Sequence, residues 1–519
     1  MQMTDKSTIT EPRFVKPYEP GSQARVELVN GRIVDVVHGR YYGTGTSVVV
    51  QGGKIVAMPG LPGEPPDAEA DFTIDLQGKT VLPGLFNTHC HLLQVEPTMV
   101  MGLSDMRRIK RYTEQQRAKN LADCLTHGIT CIRDAWHPDL NENRVLEERI
   151  SRGELPGPRI VQSVVVGPTG SYMQEKPSLA LRLGGFPQVD PSKEHAGSVA
   201  FPIDATEGQV RAAVDVAIDE RGADAIKIGD ETFSFFANKP VPVMTGEQLN
   251  AVADQARRRG VPSTMHHMTV ESFRRGVQAG VSSLAHVPWD APLTREDVEA
   301  LKASGCFLEP TISVWYTFWS WKMAGAHSSD DPELDRLTAF RERNYTFADI
   351  AEEFYVPELR PSVLDGYKRC ASGKPKMMGI MDASGMCAWS EKTVFAFENL
   401  NLLAEHGVPM TTGNDNKPPC TPAMMGLELL MMDHVLSGNP NGAPFGGAQA
   451  VQIATLNSAR SLGLEAEFGS IERGKTADLV ILDGDPLEDF RVIGSRAAAL
   501  FLEGRLAIND CGLSVVPAA

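Results

Sequence analysis

Pro83-Gly84-Leu85-Phe86-Asn87-Thr88-His89-Cys90-His91 carries the strongest indication of both fold and chemistry in this chain. Residues 81–86 are apolar enough to predict a short buried strand. Side chains alternate across a strand, so His89 and His91 are expected to share one face while Cys90 points to the other and packs. Two imidazoles side by side can chelate one metal ion, although such a pair also occurs as ordinary core or surface histidines.

Short apolar segments alternate with amphipathic ones through most of the chain, which is typical of a parallel sheet or barrel. Strands are predicted at 81–86, 129–133, 159–166, 225–229, 263–267, 282–286, 307–313 and 409–413. Helices are predicted at 113–127, 207–221, 246–259, 270–279, 294–303 and 392–406. Eight strands with helices between them predict an α/β fold, a TIM-type (β/α)8 barrel.

The two ends of the chain have a different pattern. Residues 25–80 and 468–510 are rich in Val, Ile and Gly and contain turn pairs such as Asn30-Gly31, which indicates short antiparallel strands. We therefore expect residues 1–80 and 466–519 to form one composite β-sandwich domain. Residues 81–465 would form the barrel.

An inserted segment is predicted inside the barrel. The eight strands span residues 81–415, which is 335 residues, whereas a typical barrel needs about 250. The excess corresponds to residues 314–395, a helical segment rich in aromatic residues that includes Trp315, Trp319 and Trp321. These side chains are interpreted either as the core of the inserted helices or as an aromatic wall above the barrel mouth.

Composition and charge exclude several classes of protein. The 519 residues include 66 acidic and 50 basic side chains, for a formal net charge of −16. No basic face is left to bind nucleic acid or an anionic membrane surface. There is no apolar run of about 18 residues, no signal-peptide pattern and no paired cysteine motif. We expect a cytoplasmic protein with free thiols and with neither nucleic-acid nor membrane partners.

Potential metal ligands stand at the ends of other predicted strands. Lys227 lies between two isoleucines, where a lysine is costly unless it has a partner or a function. His266, His286 and Asp415 each close a strand. Because the carboxyl ends of barrel strands meet at one mouth, these groups predict a metal site there. Strand alternation turns His267 away from His266, which favours a packing or supporting role for it.

The chain resembles the amidohydrolase superfamily, in the binuclear branch that includes imidazolonepropionase- and prolidase-like enzymes. The resemblance covers nearly the whole chain, and its most specific part is the C-terminal segment at 454–489. Matching segments are Pro83 to His91, residues 127–135, 157–161, 222–228, the pair His266 and His286, and residues 411–416.

The resemblance implies two divalent metal ions. Zinc is the expected metal, and manganese, cobalt or iron are compatible with the same ligands. His89, His91 and Asp415 would hold one ion, and His266 and His286 would hold the other. Lys227 would be N-carboxylated by CO2, and its carbamate would bridge both ions. A hydroxide between the metals would attack the scissile carbonyl, and Asp415 would orient it and transfer its proton to the leaving amine.

The substrate is expected to be a small, largely apolar molecule with an aryl group. Candidate pocket residues are Trp136, His267, Trp289, Trp315 and Trp319. Two acids that follow Lys227, at positions 230 and 231, would repel a substrate carboxylate. This favours a neutral amide, urea or carbamate, as in the phenylurea, molinate and ochratoxin hydrolases that the chain resembles.

Three alternatives stay open. An Xaa-Pro dipeptidase or carboxypeptidase-like enzyme would use the same metals. A mononuclear deaminase is disfavoured, because deaminases of this superfamily carry a glutamate where Thr269 follows His266 here. A non-catalytic scaffold on the same fold would have lost metal ligands, whereas this chain keeps all six. Relatives are often homo-oligomers, so a homo-oligomer is expected.

Overall fold

The computed structural model describes nine stretches of the chain, and the expected pocket residue Trp319 lies outside them. The described residues are 24–64, 69–97, 103–176, 193–234, 237, 239–315, 345–371, 389–437 and 445–518.

Short strands and longer helices alternate through the central part of the chain. The strands are β1 (Val26–Val29), β2 (Arg32–Asp35), β3 (Arg40–Tyr41), β4 (Val48–Gln51), β5 (Lys54–Ala57), β6 (Phe72–Asp75), β7 (Thr80–Pro83), β8 (Leu85–Cys90), β9 (Ile129–Asp134), β10 (Arg159–Pro168), β11 (Ser198–Phe201), β12 (Ala225–Gly229), β13 (Phe233–Ser234), β14 (Lys239–Pro240), β15 (Ser263–His266), β16 (Ser283–Ala285), β17 (Phe307–Glu309), β18 (Leu479–Leu482), β19 (Ala499–Leu502), β20 (Arg505–Asn509) and β21 (Val515–Pro517).

Twelve α-helices are described. They are α1 (Leu103–Thr126), α2 (Leu140–Ser151), α3 (Glu207–Asp219), α4 (Gly246–Arg258), α5 (Val270–Ala279), α6 (Arg295–Ser304), α7 (Phe347–Phe354), α8 (Arg360–Ala371), α9 (Trp389–Glu405), α10 (Met425–Ser437), α11 (Gly447–Gln452) and α12 (Ser458–Ser461). A π-helical turn (Ile453–Asn457) joins the last two, and a 3-10 turn covers Phe490–Val492. Among the described residues, no helix is both long and apolar enough to cross a membrane.

Threonine side chains determine where the barrel helices begin. Thr206, Thr245 and Thr294 precede α3, α4 and α6, and each forms a capping box with the third helical residue. Such caps satisfy backbone N–H groups that lack a partner within the helix. At the other end, Gly280 and Gly305 close α5 and α6 in the left-handed conformation that favours glycine.

Seven parallel strands form the barrel wall, in the order β8, β9, β10, β12, β15, β16 and β17. The predicted eighth strand, 409–413, is not a regular strand. Its backbone nevertheless closes the barrel, because Met410 bridges to Leu308 and the Thr88 N–H donates to the Thr412 carbonyl at 2.7 Å. The TIM-type fold is therefore confirmed, with a final segment that makes only a few ladder bonds. β11 pairs with β10 outside the main order and was not predicted.

The first predicted strand, 81–86, is wrong as one element. The chain forms two strands, β7 and β8, which meet at Gly84 and belong to different sheets. A Cβ atom at position 84 would lie 2.0 Å from the Thr130 Oγ1 atom, so only glycine fits there. This junction carries the chain from the terminal domain into the barrel.

Both ends of the chain contribute to two packed sheets. One has the strand order β21-β6-β1-β4-β5, and the other has β20-β19-β18-β7-β2-β3. Their facing side chains share one apolar core, to which Leu28 and Ile55 contribute from the N-terminal part and Leu479 and Phe501 from the C-terminal part. The predicted β-sandwich built from both termini is confirmed.

Candidate metal centre

All six predicted metal ligands are buried around the carboxyl ends of the barrel strands. His89 is in β8, Lys227 in β12 and His266 ends β15. His286 follows β16, and Asp415 follows the segment that closes the barrel. All six are less than one-tenth exposed. The parallel strands thus bring together residues that are up to several hundred positions apart in the sequence.

One group has the geometry of a single cation site. One potential ligand atom from each of His89, His286 and Asp415 lies within 4.8 Å of the others. The sixth predicted ligand, His91, is also buried, and its Nε2 atom lies 2.9 Å from Asp415 Oδ1. The Nε2 atom of His89 lies 3.9 Å from the same oxygen. Imidazole nitrogen and carboxylate oxygen are suitable ligands for a first-row divalent metal.

His266 and His286 form a second pair of converging imidazoles. The Nδ1 atom of His266 lies 2.8 Å from the Nε2 atom of His286, and the two rings meet almost edge to face. The other nitrogen of His286, Nδ1, lies 2.6 Å from the Thr311 hydroxyl. Two ring nitrogens that point at the same place could bind one ion together.

The Lys227 amine is buried among the predicted ligands without a described hydrogen-bond partner. It is only 1% exposed, and its Nζ atom has no hydrogen-bond partner among the described residues. Burial and the nearby Arg133 guanidinium lower the pKa of this amine to about 7. A substantial neutral fraction near pH 7 leaves a nucleophilic amine, which is the form that reacts with CO2. The residue therefore fits the carbamate that the family resemblance implies.

The histidines are neutral in this environment. Burial lowers the pKa of His286 to about 3, and it lowers the pKa of His89 and His266 well below their usual range. Neutral imidazole has a free lone pair, which is the form that binds metal. The donor set therefore fits divalent cations.

Asp415 is ionised although it is buried. Burial raises its pKa, but the Lys417 ammonium and a hydrogen bond from His91 outweigh that effect and hold the pKa well below the usual range. The Lys417 Nζ atom lies 2.8 Å from Asp415 Oδ1. Lys417 was not among the predicted site residues, although its position two residues after a predicted ligand could have indicated it.

Backbone strain is concentrated at the same site. Three residues that are not glycine, His286, Thr311 and Asp415, have positive φ angles of 81°, 47° and 36°. L-residues adopt this region rarely, and such conformations cluster at functional sites. Two of these three residues, His286 and Asp415, are predicted metal ligands.

A buried ion pair beside His89 was not predicted. Glu309, at the end of β17, lies 3.1 Å from His89 Nδ1 and 2.5 Å from an Arg133 guanidinium nitrogen. Asp134, the next residue of β9, points to the opposite face of the strand and accepts a hydrogen bond from Asn143 instead.

The two acids after Lys227 have different partners. Asp230 forms a bidentate ion pair with Arg275 of α5, at 2.8 and 3.0 Å, so its charge is compensated outside the site. Only Glu231 remains near the ligands, with Oε1 3.7 Å from His266 Nε2. Burial and the Asp230 charge raise the pKa of Glu231 to about 8. The prediction that both acids repel a substrate carboxylate is therefore not supported by their positions.

One aromatic side chain contacts a predicted ligand directly. The Tyr172 ring, which was not predicted, stacks on His266 at 4.6 Å. Trp289 and Trp315 contact each other at 5.5 Å between centroids and belong to the main apolar core. The predicted pocket residue Trp136 is buried as well.

His267, also a predicted pocket residue, does not join the ligand cluster. It is wholly buried, and its ring contacts Phe273 of α5 at 5.7 Å. That position, on the outer face of the barrel, favours the packing interpretation.

A model of the amidohydrolase family matches residues 80–506. The chain belongs to the amidohydrolase family. The match includes every barrel strand and every predicted metal ligand. Family membership supports a hydrolase, and the resemblance stated from the sequence motifs is confirmed.

Curated relatives of this amidohydrolase match very different lengths of the chain. It is 46% identical over 468 residues to a 5-methylthioadenosine/S-adenosylhomocysteine deaminase of Symbiobacterium thermophilum, covering 84% of this chain and 80% of that protein. An imidazolonepropionase of Sphingopyxis alaskensis is 38% identical over 90 residues, which is 17% of this chain and only 21% of that protein. The shorter match is a local similarity.

Solved structures with the same architecture extend over nearly the whole chain. A prolidase complexed with N-methylphosphonate-L-proline has a TM-score of 0.62 at 23% identity and covers 93% of this chain and 100% of its own. Molinate hydrolase has a TM-score of 0.61 at 19% identity and covers 93% and 94%. At these identities the likeness establishes the fold alone.

Proposed function

We propose that this amidohydrolase is a metal-dependent enzyme that hydrolyses a C–N bond of an amide, urea or carbamate in a small, largely apolar substrate with an aryl group. The observation that carries the proposal is the Lys227 amine, which is buried with no described hydrogen-bond partner in the barrel that holds the histidines. A carbamate on that amine would turn an uncompensated group into an anionic oxygen ligand. Without such a ligand role, burying an unpaired amine would only destabilise the folded state.

Two divalent ions would be held by the six predicted ligands. Zinc suits imidazole and carboxylate donors, and manganese, cobalt or iron are compatible with the same set. When bound, such ions polarise a scissile carbonyl and make water nucleophilic near neutral pH. The residues proposed to hold them are His89, His91, Lys227, His266, His286 and Asp415.

Asp415 is proposed to move the proton. Its low pKa keeps it ionised at neutral pH, so it can accept a proton from the attacking water. It can then return this proton to the departing amine. The ammonium of Lys417, 2.8 Å from Oδ1, holds the carboxylate in place.

Apolar substrate recognition rests on the aromatic residues near the site. Tyr172 stacks directly on the ligand His266. Trp289 follows His286 by three residues, and its ring contacts Trp315 at the beginning of the inserted segment. Loops that follow barrel strands build the substrate pocket in this fold, which supports the proposal that these residues contact an aryl group.

The metal proposal is tested by replacing the lysine. Elemental analysis of the purified protein is expected to find close to two ions per chain, and Lys227→Ala is expected to lose at least one ion and all activity. The control Lys302→Ala removes an exposed lysine from α6 and is expected to keep both. Partial recovery of Lys227→Ala by added acetate would support an anionic bridging ligand. A fully active preparation without metal would overturn the proposal.

The bond type is tested with a substrate panel. Anilides, N-aryl ureas, aryl carbamates and Xaa-Pro dipeptides would be compared by the amine that each releases. We expect the aryl compounds to give the highest kcat/KM. A preference for dipeptides would contradict the proposed substrate class without affecting the metal centre.

A substrate with a carboxylate is the second candidate, as in an Xaa-Pro dipeptidase or a carboxypeptidase-like enzyme. Two observations favour it: Arg275 compensates Asp230, and the Lys417 ammonium lies beside Asp415. That cation could also bind a substrate carboxylate. If it does, Lys417→Met would raise KM for dipeptides far more than for neutral anilides.

Deamination of a purine nucleoside is the third candidate, because the long match is to a deaminase. In this chain Thr269 caps α5 by accepting a hydrogen bond from the Ser272 N–H, and it offers no carboxyl group as a proton shuttle. 5-Methylthioadenosine therefore belongs in the panel. Ammonia release from it at a kcat/KM above that of the aryl amides would favour a deaminase.

A further inference from the structure

Glu309 is a buried carboxylate that the proposed mechanism does not use. It is 0% exposed at the end of β17, on the seventh strand of the barrel. Its Oε2 atom lies 3.1 Å from the Nδ1 atom of His89, a residue of the first strand. The contact therefore crosses the point where the barrel closes.

Arg133 compensates the charge of Glu309. It lies in β9, is also 0% exposed, and places Nη2 2.5 Å from the same Oε2 atom. The Thr264 hydroxyl lies 3.4 Å from Oε1 and 3.5 Å from Oε2, and it accepts a hydrogen bond from the same Arg133 nitrogen at 3.3 Å. A carboxylate held by these neighbours has little freedom to turn away from His89.

The contact determines how His89 uses its two nitrogens. A carboxylate only accepts hydrogen bonds, so the Nδ1 atom that faces it must carry the proton. The Nε2 atom then keeps its lone pair and faces Asp415 Oδ1 at 3.9 Å, within the predicted cation site. A carboxylate behind a metal-binding histidine is a recognised way of fixing both tautomer and ring orientation.

We propose that Glu309, paired with Arg133, is a positioning residue that holds His89 as an Nε2 metal ligand. The inference rests on the proposed function in assuming that His89 binds metal. It predicts that removing the carboxylate weakens metal binding even when the fold is intact. Removing a hydrogen-bonding partner of this kind typically weakens metal affinity by about 10–100-fold.

The test compares three variants by zinc affinity, measured by competition with a chelator, and by the absorption spectrum of the cobalt-loaded protein. Glu309→Leu is expected to lose about 10–100-fold in affinity. Glu309→Gln keeps an acceptor at the same place and is expected to lie between Glu309→Leu and the wild type. In the double variant Arg133→Met/Glu309→Leu, both charges of the pair are absent, so it avoids an unpaired buried guanidinium.

The double variant separates positioning from stability. If Glu309 only stabilises the fold, the double variant will recover both its Tm and its zinc affinity, and the inference is overturned. If Glu309 positions His89, the double variant will fold and still bind zinc weakly, with a changed cobalt spectrum. Asp478→Asn is the matched control: this buried carboxylate of the terminal domain pairs with Arg159 at the amino-terminal end of β10, and its loss should leave zinc affinity unchanged.

These measurements distinguish failure of the positioning role of Glu309 from failure of the proposed function. A wild-type protein that binds zinc but hydrolyses no C–N bond would overturn only the function. A wild-type protein that binds no divalent metal would overturn both. Zinc affinity of Glu309→Leu equal to that of the wild type would overturn only the positioning role.

Discussion

Gly413 shows how closely the residues of the site are packed. A Cβ atom at this position would lie 2.6 Å from the His89 Cβ atom and 2.9 Å from the His89 backbone nitrogen. Real Cβ atoms do not approach other atoms this closely, so one backbone segment would have to move. Since His89 is one predicted ligand and Asp415, two residues further along, is another, the shift would separate both from their positions.

We therefore expect Gly413→Ala to impair the site more than the fold. Overpacking of a core position typically costs about 1–3 kcal/mol, and a displacement of His89 would in addition lower zinc affinity. Thermal unfolding and chelator competition would measure the two effects. The control Gly246→Ala lies in α4, where an added Cβ meets nothing within 4 Å, and it should keep wild-type zinc affinity. Unchanged zinc binding in Gly413→Ala would contradict the steric argument.

At the scale of the element, helix α6 depends on one carboxylate in its first turn. Asp297 accepts hydrogen bonds from the Thr294 N–H at 2.9 Å and from two guanidinium nitrogens of Arg274, at 2.6 and 2.9 Å. It therefore completes the capping box and ties α6 to α5. The Arg274 hydrogen bonds, aided by those from Thr294, lower the pKa of Asp297 to about 2.

This carboxylate makes a contribution to stability that depends on pH. Because its folded pKa lies below the unfolded value, the contribution is present above pH 4 and is lost as pH falls towards 2. Since Arg274 is half exposed, solvent screening limits the contribution to about 1 kcal/mol. Asp297→Asn should therefore be less stable than the wild type to urea at pH 6, and the difference should shrink by about half at pH 3.

The control for Asp297→Asn is a change of the same charge in the same helix. Glu299 is exposed in α6, so Glu299→Gln should differ little from the wild type at either pH. A difference between Asp297→Asn and the wild type that stays constant from pH 6 to pH 3 would show that the effect is not electrostatic.

At the scale of the whole molecule, the metal site joins distant parts of the barrel. His89 comes from the first strand, His266 and His286 from the fifth and sixth, and Asp415 from the segment that closes the wall. An ion bound by these residues would connect segments that are far apart in the sequence. Because the unfolded chain does not present them together, binding would favour the folded state.

Metal removal is therefore expected to lower Tm. Zinc at 100 times its Kd would add about 2.7 kcal/mol to the free energy of unfolding, since it binds the folded state. Differential scanning fluorimetry with added zinc or chelator would show a Tm that rises with zinc in the wild type and in Lys302→Ala. The rise should be smaller in Lys227→Ala. Equal shifts in Lys227→Ala and the wild type would indicate that Lys227 takes no part in metal binding.

Local patterns were sufficient for most barrel strands and for the helices between them. The amphipathic periods predict α3 to α6 to within about two residues, because the helix signal lies within the helix itself. The final barrel segment was harder to predict. Residues 409–413 were predicted as a strand, but they make only scattered backbone bonds to the neighbouring strands. The number of backbone bonds that this segment makes depends on how the first and seventh strands approach each other when the barrel closes.

The sequence by itself determined the residue types at the barrel mouth and the strands that carry them. His89, His266 and His286 are recognisable because strand alternation and strand ends are properties of short segments. Only the tertiary structure decided which neighbours these groups meet. Glu309 reaches His89 across the closure of the barrel, and Asp230 turns to Arg275 on a helix 45 residues away. Such contacts join segments with no local relationship, so only the packing of the whole chain specifies them.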